Sequence, residues 1–297
     1  MVVSAWLSAF RLRTLPLALS CIGMGGFLAA REGQFDLLPF FLCCLTTIFL
    51  QVLSNLANDY GDSIHGADHA ERTGPSRAVQ SGTITAAQMK RAVFLFIFLS
   101  LASGLMLLWV SFGWDWQSLI FFLALGLLSI AAAIAYTVGK KPYGYIGLGD
   151  LSVLIFFGLV AVMGSLYLFT HEIAWINIFP ALTCGFFSIA VLNINNVRDI
   201  ESDRKAGKYS IPVRIGKVKS AYYHWFLLFG GCASAIIYVI NTYHSPFQFL
   251  FLLVFPLLIL NGKAVMEKPS SALDPYLKQM ALSTLLFVIL FGIGNLI

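Results

Sequence analysis

The sequence predicts an all-α polytopic membrane protein with nine transmembrane helices. Three observations lead there. First, 59% of the 297 residues are apolar and only 11% are charged, with a mean hydropathy of +0.83. A soluble chain carries roughly 45–50% apolar and about 25% charged residues, so a soluble globular protein, a disordered chain and a collagen-like fibre are excluded. Second, the apolar residues fall in nine long continuous runs. Barrel strands alternate, so a closed β-barrel is excluded, and helices alone then satisfy the backbone in lipid. Third, every basic residue but Arg31 falls on one side of those runs.

The spans run over 14–31, 36–57, 92–112, 117–137, 147–170, 174–197, 221–241, 246–262 and 279–297, each about the length that crosses a bilayer. Ahead of the first span, Ala5-Trp6-Leu7-Ser8-Ala9-Phe10-Arg11-Leu12-Arg13 reads as an amphipathic segment lying in the interface. No small-residue cleavage site precedes Arg31, so the first span is expected to be retained rather than cleaved as a signal peptide. Arg11 and Arg13 precede span one. Arg72, Arg77, Lys90 and Arg91 follow span two, and Lys140 and Lys141 follow span four. Seven bases from Arg198 to Lys219 follow span six, and Lys263, Lys268 and Lys278 follow span eight. By the positive-inside rule this face is cytoplasmic, with the N-terminus inside and the C-terminus outside. The net charge of +5 does not point to nucleic acid, because the bases sit between hydrophobic spans.

Cys21, Cys43, Cys44, Cys184 and Cys232 lie in apolar runs without metal-ligand spacing and read as small core residues. The five histidines form no pair that suggests zinc. The two long polar connectors, 58–91 and 197–220, share the basic side, so function is expected there.

Each of those connectors opens on carboxylates. The first begins Asn58-Asp59-Tyr60-Gly61-Asp62, with Asp68 following. The second carries Asn195, Asp199 and Asp203. On a helix, residues three or four apart share a face, so each pair is mutually repulsive without a cation. The pattern Asn-x-x-x-Asp recurs from Asn58 to Asn195, an offset of 137 residues or four helices, in the manner of a decayed repeat. Paired carboxylates suit Mg²⁺, which commonly joins them to substrate phosphates. Arg72, Arg77 and Lys208 stand beside them, and acids for metal next to bases for phosphate compose a diphosphate site. Anionic-lipid contact is the competing use of the bases. Between the motifs, Tyr136 to Asp150 contains Lys141, Tyr143 and Tyr145 and reads equally as a turn or as a substrate wall.

These residues resemble the UbiA superfamily of intramembrane aromatic prenyltransferases over essentially the whole chain. The N-D-x-x-D string is Asn58, Asp59 and Asp62, and the D-x-x-x-D string is Asp199 and Asp203. The superfamily pattern has a further aspartate four residues beyond the second. Here position 66 is Gly, and the next acid is Asp68. The strings Arg11–Pro16, Arg72–Arg77, Tyr136–Asp150 and Asn195–Lys208 are similar to the branch that prenylates 1,4-dihydroxy-2-naphthoate in menaquinone synthesis.

The resemblance implies nine helices around a central cavity under cytoplasmic polar caps, as one domain over 1–297, in a bacterial inner (plasma) membrane. It implies a polyprenyl diphosphate bridged by Mg²⁺ to both motifs, with Asp59, Asp62, Asp68, Asp199 and Asp203 around the metal. Asn58 and Asn195 would support it, and Arg72, Arg77 and Lys208 would hold phosphate. Lys141, Tyr143 and Tyr145 would orient the acceptor or face an allylic cation. Another aromatic acceptor, such as 4-hydroxybenzoate, would use the same chemistry. A transporter with intramembrane acids is the reading from a different class, and it would place its charges nearer the bilayer midplane.

Overall fold

The computed structural model describes residues 2–64 and 78–297, and no strand occurs among them. Among the described residues, nine helices are long and apolar enough to cross a membrane. A short helix α1 (Val2–Phe10) enters first. The chain then turns at Arg11, which adopts left-handed geometry (φ 49°, ψ 52°), passes one 3-10 turn, Leu12–Thr14, and continues as α2 (Leu15–Arg31). A non-glycine residue in that geometry costs roughly 1 kcal/mol. Local bonds hold it here: the Arg11 carbonyl accepts from the Thr14 amide and from Thr14 Oγ1, both at 2.9 Å.

Helix α3 (Leu37–Ile64) runs past the apolar stretch that the sequence marks, so Asp59 and Asp62 lie within its last turns rather than in a connector. The reason is satisfaction: both carboxylates find partners, described below. Helix α4 (Ala86–Phe112) starts early because Thr85 and Gln88 form a capping box ahead of its apolar run. Helix α5 (Trp116–Ala135) is capped by Asp115. Span α6 (Gly149–Thr170) widens to a π-helical stretch over Leu154–Met163. Helix α7 (Ile178–Arg198) ends beside a second short helix, α8 (Ile200–Lys205), so Asp199 occupies a junction and not a helix interior. The Asp203 amide still donates to the Asp199 carbonyl at 2.8 Å, which preserves the four-residue spacing.

Helix α9 (Ile211–Asn241) begins ten residues before its expected span. It breaks at Gly216, whose φ of 80° is one that only glycine adopts freely. Span α10 (Pro246–Glu267) opens as a 3-10 segment, Pro246–Val254, and α11 (Asp274–Leu296) closes the bundle.

Helix α9 packs on α7, α11 packs on α2 and α10, and α6 packs on α7 and α2. Their shared core includes Met24, Leu166, Phe187, Phe251, Phe287 and Phe291. A second core around Leu53, Leu56, Ile84 and Met89 joins α3 and α4. A cavity of about 410 Å³ lies between these halves, walled mainly by α2 to α7. Trp109 and Trp114 pack edge to face at 4.7 Å where α4 meets α5, far along the bundle from the acidic motifs. Such aromatic groups suit a membrane interface.

Candidate active site

The end of the bundle that carries the motifs is closed by paired charges. Asp59 receives the Arg11 guanidinium, delivered by the turn after α1. Asp62 accepts from the Tyr145 hydroxyl at 2.7 Å. Asp199 is gripped by its neighbour Arg198, with Nε on Oδ1 and Nη2 on Oδ2, each at 2.8 Å. Arg198 also reaches Asp274 Oδ1 at 2.5 Å, and Arg13 Nη1 takes the other Asp274 oxygen at 2.8 Å. Asp203 lies 3.2 Å from Lys208 Nζ. The N-terminal Arg-x-Arg segment therefore ties into both motifs, directly to the first and through Asp274 and Arg198 to the second.

The segment from Tyr136 to Asp150 lies between the motifs. Thr137 Oγ1 donates to the Ala57 carbonyl at 3.1 Å and to Asn58 Oδ1 at 3.2 Å. That approach explains the glycine in Asn-Asp-Tyr-Gly-Asp. A Cβ on Gly61 would lie 2.6 Å from Thr137 Oγ1 and 2.7 Å from the Thr137 carbonyl carbon. On the other side, the Tyr145 carbonyl accepts from the Tyr209 amide at 2.8 Å, one residue beyond Lys208.

Tyr136 lines the cavity, near enough to Lys208, Asp203, Asp150 and Asp62 to feel their charges. Burial pushes its hydroxyl up to about 12, with the Lys208 charge opposing, so it remains a donor at neutral pH. Burial also raises the Asp203 carboxyl above the usual carboxylate range. Lys208 pulls it down, while Asp199 and Asp62 push it up. Asp62 and Asp203 thus stand near enough for their charges to repel, and the Tyr145 bonds to Asp62 and to the Tyr209 amide join the first motif to the loop after the second. Asn58, Asp62, Asn195 and Lys208 all line the cavity.

A model of the UbiA prenyltransferase family matches residues 18–292. The chain belongs to that family. It is 47% identical to the 1,4-dihydroxy-2-naphthoate octaprenyltransferase of Escherichia coli (strain K12), over 98% of this chain and 94% of that one. It is 46% identical to the protein of the same name from Haemophilus influenzae, over 98% and 96%. Among solved structures, a UbiA homologue from Aeropyrum pernix K1 superposes with a TM-score of 0.67 at 18% identity, covering 96% of this chain and 97% of that one. A UbiA homologue from Archaeoglobus fulgidus solved with DMAPP and Mg²⁺ gives 0.59 at 18%, covering 96% and 98%. These two likenesses establish the fold. The chain is an integral membrane protein and an aromatic prenyltransferase of the UbiA family.

Within this UbiA fold, the expected residues divide into groups. Asn58, Asp59, Asp62, Asn195, Asp199, Asp203 and Lys208 come together at one end of the bundle. Tyr145 belongs with them, through Asp62 rather than through the cavity. Tyr143 lines the cavity, but its hydroxyl is engaged by the Ala132 carbonyl and Ser152 Oγ, both at 2.9 Å. Lys141 is exposed in the turn. Asp68, Arg72 and Arg77 lie outside the described residues. Sequence reasoning passed over Arg11, Arg198, Asp274 and Tyr136 as site groups. Arg11 opens the string Arg11–Pro16, and Arg198 stands beside Asp199 in the string Asn195–Lys208, which was the available signal. Asp274 stands alone in the sequence and gave none.

Proposed function

We propose that this chain transfers a polyprenyl group from polyprenyl diphosphate to 1,4-dihydroxy-2-naphthoate. The ring loses its carboxylate as CO₂, pyrophosphate leaves, and a demethylmenaquinol results, as menaquinone biosynthesis requires. The observation that carries this reading is the meeting of both acidic motifs over one largely apolar cavity. The names of the E. coli and H. influenzae relatives, each nearly half identical along almost the whole chain, point to the same acceptor. The chain acts as one domain in the bacterial inner membrane, with the acidic end and N-terminus cytoplasmic and the C-terminus external. The one-sided distribution of Lys and Arg supports that orientation.

The donor set fits Mg²⁺. Four carboxylates stand at the same end of the bundle, each held by its own partner, and no three of them are gathered into a metal-binding group among the described residues. The chemistry of these donors fits the ion, and Asp203 Oδ2 is buried and accepts no hydrogen bond among the described residues although Lys208 is near. Asp59, Asp62, Asp199 and Asp203 would hold the ion, with Asp68 a further ligand from the adjoining connector. When bound, Mg²⁺ supplies the charge that stabilises the leaving diphosphate.

The remaining chemistry falls to the chain itself. Arg11, Arg198 and Lys208 offset the carboxylates in the protein alone and stand where a diphosphate would need cations, and Arg72 and Arg77 would add phosphate-binding charge. Asn58 and Asn195 place amides beside the same anion. Fixed cations and donors act most strongly where water is excluded. The apolar cavity below takes the prenyl chain and keeps water from the allylic cation formed as the C–O bond breaks. Tyr143, which lines the cavity, faces the cation and the ring. Lys141, exposed in the connecting turn, would contact the acceptor from outside the cavity lining.

Purified protein supplied with polyprenyl diphosphate, Mg²⁺ and a panel of aromatic acceptors tests this. Formation of demethylmenaquinol with release of pyrophosphate is the expected result. Turnover of 4-hydroxybenzoate without turnover of dihydroxynaphthoate would overturn the choice of acceptor.

A further inference from the structure

Below the carboxylates, the cavity wall changes from groups that donate hydrogen bonds to groups that accept them. At the acidic end, Asn195 Oδ1 is taken by Arg198 Nη2 at 2.8 Å, which leaves the Asn195 NH₂ as its available face. Asn58 Oδ1 lies 3.2 Å from the Thr137 hydroxyl, which shares its one hydrogen between this oxygen and the Ala57 carbonyl at 3.1 Å. Those NH₂ groups suit an anion. Deeper on α3 the order reverses at Asn55 and Gln51. Asn55 Nδ2 donates to the Phe10 carbonyl at 3.0 Å and to Thr14 Oγ1 at 3.3 Å. Gln51 Nε2 donates to the same Thr14 oxygen at 3.2 Å.

Thr14 settles which way both amides point. A hydroxyl has one hydrogen and two lone pairs. The Thr14 hydrogen goes to the Arg11 carbonyl at 2.9 Å, so Thr14 can only accept from Asn55 and Gln51. Both side chains must turn NH₂ towards it. Their carbonyl oxygens, Asn55 Oδ1 and Gln51 Oε1, accept no hydrogen bond from the described residues, and both residues line the cavity. They stand one turn apart on one helix face. Helical rise puts them about 6 and about 12 Å below Asp59. The hydroxyls of Ser100 and Ser129 on the facing helices α4 and α5 are spent on their own backbones, at 2.7 and 2.8 Å. With their hydrogens spent, these two hydroxyls can only accept, so at this depth they add to the α3 carbonyls as acceptors and offer no donor.

We infer that Asn55 and Gln51, set by Thr14, form the subsite that recognises the hydroxyl groups of an aromatic diol. This rests on the proposed prenyl transfer and adds how the acceptor is chosen. An acceptor-only pair takes the two O–H hydrogens of a hydroquinone-like ring and leaves a methyl ether unmatched. The diol is then held one to two helical turns below the diphosphate.

The test compares 1,4-dihydroxy-2-naphthoate with its 1-O-methyl and 4-O-methyl ethers, whose rings stay electron-rich but lose one donor each. In bilayer nanodiscs, the unaltered protein should prefer the diol over either ether by about tenfold in kcat/KM, the scale of one net hydrogen bond. Gln51→Met should raise the KM for the diol about tenfold, leave the KM for polyprenyl diphosphate within twofold, and abolish the preference over one ether. Asn55→Leu should do the same towards the other ether. Asn55 also holds the Phe10 carbonyl, so this variant is the more prone to misfold. Thr14→Val, which frees both amides to flip, supplies a third variant and should lower the diol preference without touching either acceptor. Diol preference unchanged in Gln51→Met and Thr14→Val, with normal turnover, would overturn the subsite alone. Absence of any turnover of the diol by the unaltered protein would instead overturn the proposed function.

Discussion

The Tyr145 hydroxyl donates a 2.7 Å hydrogen bond to the Asp62 carboxylate, while the carbonyl of the same tyrosine accepts from the Tyr209 amide at 2.8 Å. One residue of the connecting segment thus fastens the first acidic motif to the loop that follows the second. The bond to a buried charge is worth roughly 1.5 kcal/mol or more. Tyr145→Phe keeps the buried ring and removes only that donor. Its kcat/KM for polyprenyl diphosphate should fall about tenfold, with the thermal midpoint changed by only a few degrees. Tyr145→Ala should lose considerably more of both. Steady-state kinetics and thermal unfolding in detergent check the pair.

Asp62→Asn and Asp199→Asn should nearly abolish turnover while the protein still inserts and folds. The structure indicates why folding survives in the second case. Arg198 has only 3% of its side chain exposed, and a buried cation left alone is costly. It keeps Asp274 and Asn195 when Asp199 is neutralised. EDTA should stop the unaltered enzyme and Mg²⁺ restore it. Activity above about a tenth of normal in either variant would count against a metal site built from both motifs.

The spans and the acidic motifs were legible in the sequence because hydropathy and local spacing are properties of neighbours. Asp59 and Asp62, or Asp199 and Asp203, need only a helix to meet. What stayed hidden were partners set by packing. Arg11 meets Asp59 across 48 residues, and Arg198 meets Asp274 across 76. No period links such pairs. Tyr143 and Tyr145 read alike in Pro-Tyr-Gly-Tyr. A short 3-10 turn over Tyr143–Ile146 sends one hydroxyl to Ser152 and the other to Asp62. Lys141 reads as a substrate contact from its string, yet the turn leaves it exposed. The seam at Gly61 was also invisible, since the reason for that glycine is Thr137 on another element.

Gly61→Ala puts this seam to the test. Alanine is the better helix former by about 1 kcal/mol, so a helix considered alone would gain. The added Cβ would instead lie 2.7 Å from backbone atoms of Thr137, which a rotamer change cannot relieve. Either α3 or the connecting segment must move, and displacement of about 1 Å at a reacting centre can cost about a hundredfold. Turnover should fall at least tenfold, and the thermal midpoint should drop rather than rise.

Asp203 sets a pH dependence. Burial raises its carboxyl above the ordinary value of about 3.9, against the pull of Lys208. The metal-free protein therefore keeps this proton to a higher pH than an exposed aspartate does, and a divalent cation must expel it. Mg²⁺ affinity should fall as pH drops through that raised value, with proton release on binding that calorimetry in buffers of different ionisation heat can count. Lys208→Met removes the opposing charge and should move the loss of affinity to higher pH. Stability of the metal-free protein runs the other way. The folded state holds the proton more tightly than the unfolded chain, so this group's contribution is present at low pH and is lost as pH rises through the raised value.

Asp274 joins two arginines of unequal burial, and that inequality makes a quantitative test. Arg13 is 31% exposed and Arg198 is 3% exposed, while Asp274 itself is 34% exposed. Exposed pairs contribute about 0.2–1 kcal/mol, and solvent screens them. Removing one partner from a buried charge costs more, because the other stays desolvated. Double-mutant cycles on unfolding free energy, using Asp274→Ala with Arg13→Ala and with Arg198→Ala, should therefore give a larger coupling for Arg198. High salt should weaken the Arg13 coupling first. Arg198 also grips Asp199, so Asp274→Ala should weaken Mg²⁺ binding severalfold even though Asp274 is no ligand, whereas Arg13→Ala should leave it nearly unchanged. Equal couplings, or a metal affinity that responds to Arg13 and not to Asp274, would mean that the line of charges from Arg13 to Asp199 does not hold the second motif in place.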